Sequence, residues 1–398
     1  VLTLSSLCLP TAVAVSAQTT SEETTAERST NAFSQLICQR LDSLVQLPLM
    51  QRSQLGLCVY DLTTDSMLYA HGHQQRMRPA SSMKVITAVT ALDKLGGDYQ
   101  FSTQLYSTVA PTDSVLQGSL VARGGFDPLF GRDDLRAFVE VLRQRGIRRI
   151  TGDLVLDVSM KDTTSLGWGW CWDDKNPRLR PLLLGKSDSF IGTLLRRLRE
   201  QGIEPNGIIG ERTLPADATL ITMRTHSIGE VMQDMMKKSD NLYAESMFYQ
   251  LAAANGGKWS SSKQASNEVN ALIRQLGLSP SNYRIADGSG LSLYNYVSAE
   301  LEVQLLRYAY TQPNIYNTLL PTLPIAGVDG TLKKRMRNTP AEGNVRAKTG
   351  TLFGVSSLAG YLTASNGHRL CFAIIVNGGM SQGPMRNLQN KICVALSQ

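Results

Sequence analysis

Long hydrophobic runs are scarce in this chain. The apolar stretch over residues 1–17 is broken by Ser5, Ser6 and Pro10, which argues against a membrane span there. Histidine is rare, with four in 398 residues, and the six cysteines (8, 38, 58, 171, 371 and 393) form no Cys-x-x-Cys pair. A metal site of familiar spacing is therefore not expected, and no organic cofactor is implied. Charged residues make up only 18% of the chain. Their balance is +7, but the lysines and arginines are scattered. The knot at 143–149 reads as a solvated helix end, with no zinc-finger spacing or aromatic–basic repeat beside it, so nucleic acid is not an expected partner. Internal repeats and low-complexity tracts are also missing. What is present is an ordinary globular composition, 42% hydrophobic, in a chain long enough for more than one domain.

Residues 1–17 carry no charge and end Val15-Ser16-Ala17 before Gln18, the small-residue spacing of a signal-peptide cleavage site. They read as a signal-peptide remnant, and export to the periplasm or cell envelope is expected. Residues 18–30, rich in Ser, Thr and Glu, read as a disordered leader. In an exported chain, Cys38 with Cys393 and Cys58 with Cys371 are conceivable pairs, and buried free thiols fit equally well.

Residues 32–47 have a helical pattern, followed by a hairpin over 55–60 and 67–70. Val85, Ala88, Val89 and Leu92 recur at helical spacing until Gly96-Gly97, which puts Ser81 at a helix N-terminus. The texture changes at about 100–224. Strands are expected at 103–105, 118–122 and 150–157, and helices at 133–145 and 188–201. Helices are expected again at 228–238 and 242–254, then strands at 345–349, 356–363 and 370–377, and a closing helix at 383–396.

Three strings stand in order: Ser81-Ser82-Met83-Lys84, Ser239-Asp240-Asn241 and Lys348-Thr349-Gly350-Thr351. A serine hydroxyl needs a base to become a nucleophile, and lysine can serve if burial lowers its pKa. Ser81 and Lys84, three apart, share one helix face. At a helix start the dipole favours developing negative charge, and the serine N–H is free to meet an oxyanion. Ser239 could pass a proton to a leaving amine, and Asn241 could hold a substrate amide and orient Lys84. On a strand edge, Lys348, Thr349 and Thr351 could bind a carboxylate. Gly350 would permit close approach, and the Thr351 N–H would be the second oxyanion donor. Each string alone has a bland reading, as a helix cap or a solvated charge. Ser260-Ser261-Ser262-Lys263 follows the second string and reads as a helix N-cap, and Ser29-Thr30-Asn31 falls in the leader.

With these motifs the chain resembles the D-alanyl-D-alanine carboxypeptidase/endopeptidase family of class C, low-molecular-mass penicillin-binding proteins. Further strings carry the resemblance: Arg78-Pro79-Ala80, Gly124-Gly125-Phe126-Asp127-Pro128, Trp170-Cys171-Trp172-Asp173-Asp174 and Asp287-Gly288-Ser289-Gly290-Leu291-Ser292. It implies a mixed α/β, penicillin-recognising fold of the β-lactamase/transpeptidase type. An antiparallel sheet flanked by helices would come from 31–100 plus 225–398, with a smaller domain inserted at 101–224. It further implies hydrolysis of peptidoglycan stem peptides and cross-links through an acyl-enzyme on Ser81, and covalent inhibition by β-lactams. A serine β-lactamase or esterase on the same fold, or an idle wall-binding homologue, are the alternatives. Two departures stand out. The segment between Lys84 and Ser239 is shorter than is usual in the family, and Leu293 occupies the place of an arginine associated with a diaminopimelate side chain. Asp173 or Asp174 would be the surviving acidic partner of that side chain. Oligomeric state is left open.

Overall fold

The computed structural model describes residues 25–398 apart from 174, 175 and 177. The signal-peptide reading of 1–17, most of the leader, and Asp174 lie outside the described residues. The first helix, α1 (Thr25–Val45), begins earlier than expected, so residues 25–30 are helical and do not belong to a disordered leader.

The chain continues through β1 (Gln54–Asp61), β2 (Ser66–His71) and α2 (Met83–Leu95). It then enters a second region: β3 (Gln100–Ser107), β4 (Val115–Leu116), β5 (Leu120–Gly124), α3 (Arg132–Gln144), β6 (Arg149–Ile150) and β7 (Leu154–Asp157). That region closes with α4 (Phe190–Glu200), β8 (Glu204–Pro205), β9 (Ile209–Glu211) and β10 (Thr219–Ser227). Four helices follow, α5 (Ile228–Lys237), α6 (Asn241–Ala253), α7 (Ser262–Gln275) and α8 (Ala299–Thr311), then the short α9 (Pro313–Leu319). The last elements are β11 (Arg346–Leu352), β12 (Val355–Thr363), β13 (Arg369–Asn377) and α10 (Gln382–Leu396).

The main sheet is antiparallel, in the order β11-β12-β13-β1-β2, so the two ends of the chain meet inside it. β12 and β13 are buried along almost their whole length. Their near-continuous apolar sequence follows from cover on both faces. One face carries α2, α5, α6 and α8, and the other carries α1 and α10. α2 is buried on every side from Met83 to Leu92, which explains its apolar, small-residue sequence.

The second region has a five-stranded sheet, β10-β3-β5-β7-β9, and a small three-stranded one, β4-β6-β8. Its own core is built on the apolar stripes of α3 (Leu135, Phe138, Leu142) and α4 (Phe190, Leu194, Leu198). The run expected as one strand over 150–157 is broken into β6 and β7 at Thr151-Gly152-Asp153. A Cβ at Gly152 would lie 2.3 Å from the Gly118 carbonyl carbon, a backbone approach that ends regular pairing. β10 has no counterpart in the sequence reading; most of it is exposed or half-buried and lacks clean alternation.

Neither conceivable disulfide forms. Cys38 turns away from Cys393 and donates to the Leu68 carbonyl of β2 (3.5 Å). In the β1–β13 register Cys58 stands opposite Ala373, and Cys371 opposite Tyr60. That diagonal relation is too long for an S–S bond.

Candidate active site

Ser81 sits in a tight turn, Ala80–Ser82, that runs straight into α2. Ala80 has a left-handed backbone (φ 49°), an uncommon state for a residue with a side chain. Its surroundings hold it there. The Pro79 carbonyl accepts from the hydroxyls of Ser82 (2.9 Å) and Ser357. A Cβ at Gly290 would come within 1.8 Å of the Ala80 oxygen, so only glycine allows that loop to close over the turn.

Behind the turn, Ser82 Oγ also contacts the carboxyl of Glu302, which is fully buried on α8. Ser82 has one proton, and the Pro79 carbonyl can only accept. The carboxyl must therefore be protonated and donate to Ser82. Burial supplies the reason: it pushes the Glu302 pKa up to about 8.

Lys84, one turn on, is wholly buried. Its Nζ lies 2.9 Å from Ser81 Oγ, 2.8 Å from Asn241 Oδ1 and 2.8 Å from the Ser289 carbonyl. Two of these partners only accept. A neutral amine would give them its two hydrogens and turn its lone pair to the Ser81 hydroxyl. Desolvation lowers the Lys84 pKa to about 8, against the opposing pull of Asp287, Glu245 and Asp240.

The corner between α5 and α6 presents the second string. Ser239 is left-handed (φ 60°), and its hydroxyl accepts from Lys348 Nζ at 2.8 Å. Asp240 caps α6, taking the N–H groups of Leu242 (3.0 Å) and Tyr243 (3.4 Å). Its other oxygen pairs with Lys186, which reaches over from the second region. Asn241 faces Lys84 with its oxygen and donates from Nδ2 to Asn176 Oδ1 (3.1 Å).

The third string lies on β11, the edge of the main sheet. Lys348 is fully buried and, among the described residues, forms no ion pair; desolvation and the nearby Lys84 hold its pKa well below the usual lysine range. A Cβ at Gly350 would fall 2.0 Å from Ser357 Oγ and 2.9 Å from the Ser81 nitrogen. Thr349 Oγ1 donates to Thr331 Oγ1 at 2.7 Å. Thr351 is exposed, and its hydroxyl accepts from Arg386 Nη2 at 3.3 Å.

Hydrogen bonds thus join Ser81, Lys84 and Asn241 in one set and Ser239 and Lys348 in another, the two lysines lying close enough to feel each other's charge, with Gly350 against the nucleophile's turn. Thr349 and Thr351 continue along the strand edge. Asp173 sits in an exposed turn. Leu293 is exposed, and its carbonyl accepts from Arg78 Nε at 3.1 Å. The 260–263 string is a cap: Ser261 accepts from the Gln264 N–H at the start of α7. Among the described residues, no group of three or more His, Cys, Asp and Glu is set to hold a metal ion, and no helix is long and apolar enough to cross a membrane.

Several contributing residues escaped the sequence reading. Glu245 Oε1 accepts from the Gly288 (3.1 Å) and Ser289 (2.8 Å) N–H groups, fixing the loop whose carbonyl holds Lys84. Asp287 ties the same loop by accepting from the Gly290 (2.8 Å) and Ser292 (2.7 Å) N–H groups. It also accepts from the Trp170 indole at 2.8 Å. The Asp-Gly-Ser-Gly string hinted at such a loop. Nothing marked Glu245, a lone carboxylate in an apolar helix.

The D-Ala-D-Ala carboxypeptidase 3 (S13) family matches residues 37–180 and 185–398. A D-alanyl-D-alanine carboxypeptidase DacB from Haemophilus influenzae is 27% identical over 83% of this chain and 86% of its own length. A D-alanyl-D-alanine carboxypeptidase from Actinomadura sp. strain R39 is 28% identical over 90% of this chain and 84% of its own. The crystal structure of penicillin binding protein 4 from H. influenzae superposes with a TM-score of 0.79 at 27% identity, over 89% of this chain and 98% of that one.

Proposed function

The chain belongs to the D-Ala-D-Ala carboxypeptidase 3 (S13) family, and we propose that it does this chemistry with Ser81 as nucleophile and Lys84 as general base. It is a serine-type D-Ala-D-Ala carboxypeptidase of the class C, low-molecular-mass penicillin-binding group. The observation that carries the site assignment is the Lys84 amine, held between two carbonyl acceptors with its third direction on Ser81 Oγ.

In the forward reaction Ser81 Oγ bonds to the carbonyl carbon of the penultimate D-Ala, and its proton passes to Lys84 Nζ. The oxyanion is met by the N–H groups of Ser81 and Thr351. As the C–N bond breaks, Lys84 gives that proton to the leaving D-Ala nitrogen through Ser239, whose hydroxyl is held by Lys348, and the lysine is neutral again. Lys348, Thr349 and Thr351 bind the terminal carboxylate, and Asn241 the substrate amide. Water then attacks the ester carbon and gives a proton to Lys84, which passes it to Ser81 Oγ as the ester C–O bond breaks. A cross-link ending in D-Ala offers the same carbonyl, so endopeptidase action follows from the same steps. A β-lactam forms the same ester. One H. influenzae relative, 26% identical, has been crystallised with a β-lactam, which supports this reading. The family's work on cell-wall peptides supports a place in the bacterial envelope, with residues 1–17 as the export signal.

Incubation with a labelled penicillin followed by peptide mass spectrometry tests the assignment. One adduct is expected on the Ser81 peptide, absent from Ser81→Ala, together with D-Ala release from a stem pentapeptide by the wild-type chain. An adduct at Ser260, or none on a folded protein, would overturn it.

A further inference from the structure

On the face of the main sheet that carries α1 and α10, these helices and the loop before β11 enclose a groove of about 750 Å³. Its rim is cationic, with Arg40, Lys334, Arg337 and Lys391, and its lining holds no Asp or Glu. Among the described residues none of these four forms an ion pair. The nearest carboxylate in the loop, Glu342, accepts from the Asn338 backbone N–H (2.7 Å). Arg40 Nη1 is buried without any acceptor. Next to the rim, among the described residues, Arg335 donates only to neutral acceptors: Asn390 Oδ1 (2.7 Å), Gln389 Oε1 (3.0 Å) and the Arg386 carbonyl (3.3 Å). Its charge is thus uncompensated and adds to the positive field. Leu44 and Met336 line the groove as apolar residues.

Unpaired guanidinium and ammonium groups above an apolar floor match an anion that carries a hydrocarbon tail. We propose that this groove binds the phosphate headgroup of an anionic phospholipid, holding the enzyme to a membrane surface through its α1–α10 face.

Co-sedimentation of the full chain with phosphatidylcholine vesicles, with and without phosphatidylglycerol, tests this. Binding is expected only to the phosphatidylglycerol vesicles. Arg40→Gln/Lys391→Gln should weaken it on the order of twentyfold while penicillin acylation is unchanged. Lys334→Gln/Arg337→Gln, both at exposed side chains, should do the same and guards against a folding defect in the first pair. Arg136→Gln/Arg196→Gln removes as much charge from exposed sites in the second region and should bind like wild type. The proposal fails if phosphatidylglycerol has no effect. It also fails if the distant pair weakens binding equally, since net charge would then be the cause. Binding to polyglutamate without vesicle binding would assign the groove to an acidic protein instead.

Discussion

Two buried groups beside the nucleophile titrate far from their ordinary values, and each carries a pH prediction. Lys84 must be neutral to take the Ser81 proton. With its pKa lowered to about 8 by burial, acylation by penicillin should rise with pH and level off above that value in a stopped-flow pH profile. Lys84→Ala should slow acylation roughly 10²–10⁴-fold. Glu302 has the opposite sense, because its folded pKa, about 8, lies above the ordinary glutamate value of 4.5. Between these values the folded protein holds a proton that the unfolded chain has lost, so stability falls as pH rises through that window. Glu302→Gln keeps a neutral donor to Ser82. Its melting temperature relative to wild type should climb from pH 4.5 to about pH 8 and then stay level, as read by calorimetry across pH.

At the scale of elements, the site is assembled by loops that clamp one another. Trp170, from the second region, gives its indole N–H to Asp287, and that loop holds Lys84 through the Ser289 carbonyl. Trp170→Phe leaves the ring but removes the donor, and should cost about 1–3 kcal/mol in denaturant unfolding. β11 has less tolerance still. In Gly350→Ala the new methyl would meet Ser357 Oγ at 2.0 Å, the Pro79 carbonyl at 2.7 Å and the Ser81 nitrogen at 2.9 Å. The penicillin adduct should be lost while the circular dichroism spectrum is retained.

Most elements were legible for plain reasons. β12 and β13 are long apolar runs, α3 and α4 have clear stripes, and Gly96 ends α2. β10 was not, because its mostly exposed residues show no clean alternation, and it is held by distant partners: pairing with β3, the Asp127 and Asp134 carboxylates on His226 and Arg224, and burial of Ile221. The three catalytic strings were readable because their residues do chemistry at short spacing. Glu245, Glu302 and Lys186 were not, since each acts through a partner at least 43 positions away. Only the fold brings such pairs together.

For the molecule as a whole, the two regions share a continuous polar seam. Gln250 Nε2 donates to the Gly125 carbonyl at 2.6 Å, Ser246 to the Phe126 carbonyl, and Lys186 pairs with Asp240. The seam runs along α6, the helix that begins with Asn241. Scanning calorimetry of the full chain should therefore give one cooperative transition, and excision of residues 101–224 should abolish penicillin labelling. Two separate transitions would mean that the seam is weaker than its bonds suggest.

The interleaving of β1 between β2 and β13 has a consequence in time. During synthesis the nucleophile's helix and the first hairpin emerge early, but their sheet partner is made only after the whole second region and helices α5 to α9. Until residues 369–377 arrive, β1 has an open edge and the main core has no centre. The second region, with local contacts and its own core, can form while the rest waits. A chain cut short before β13 would hold every catalytic residue and still lack an enzyme. Acylation competence is acquired in one late step, and an unfinished molecule stays inert wherever it meets a peptide bond.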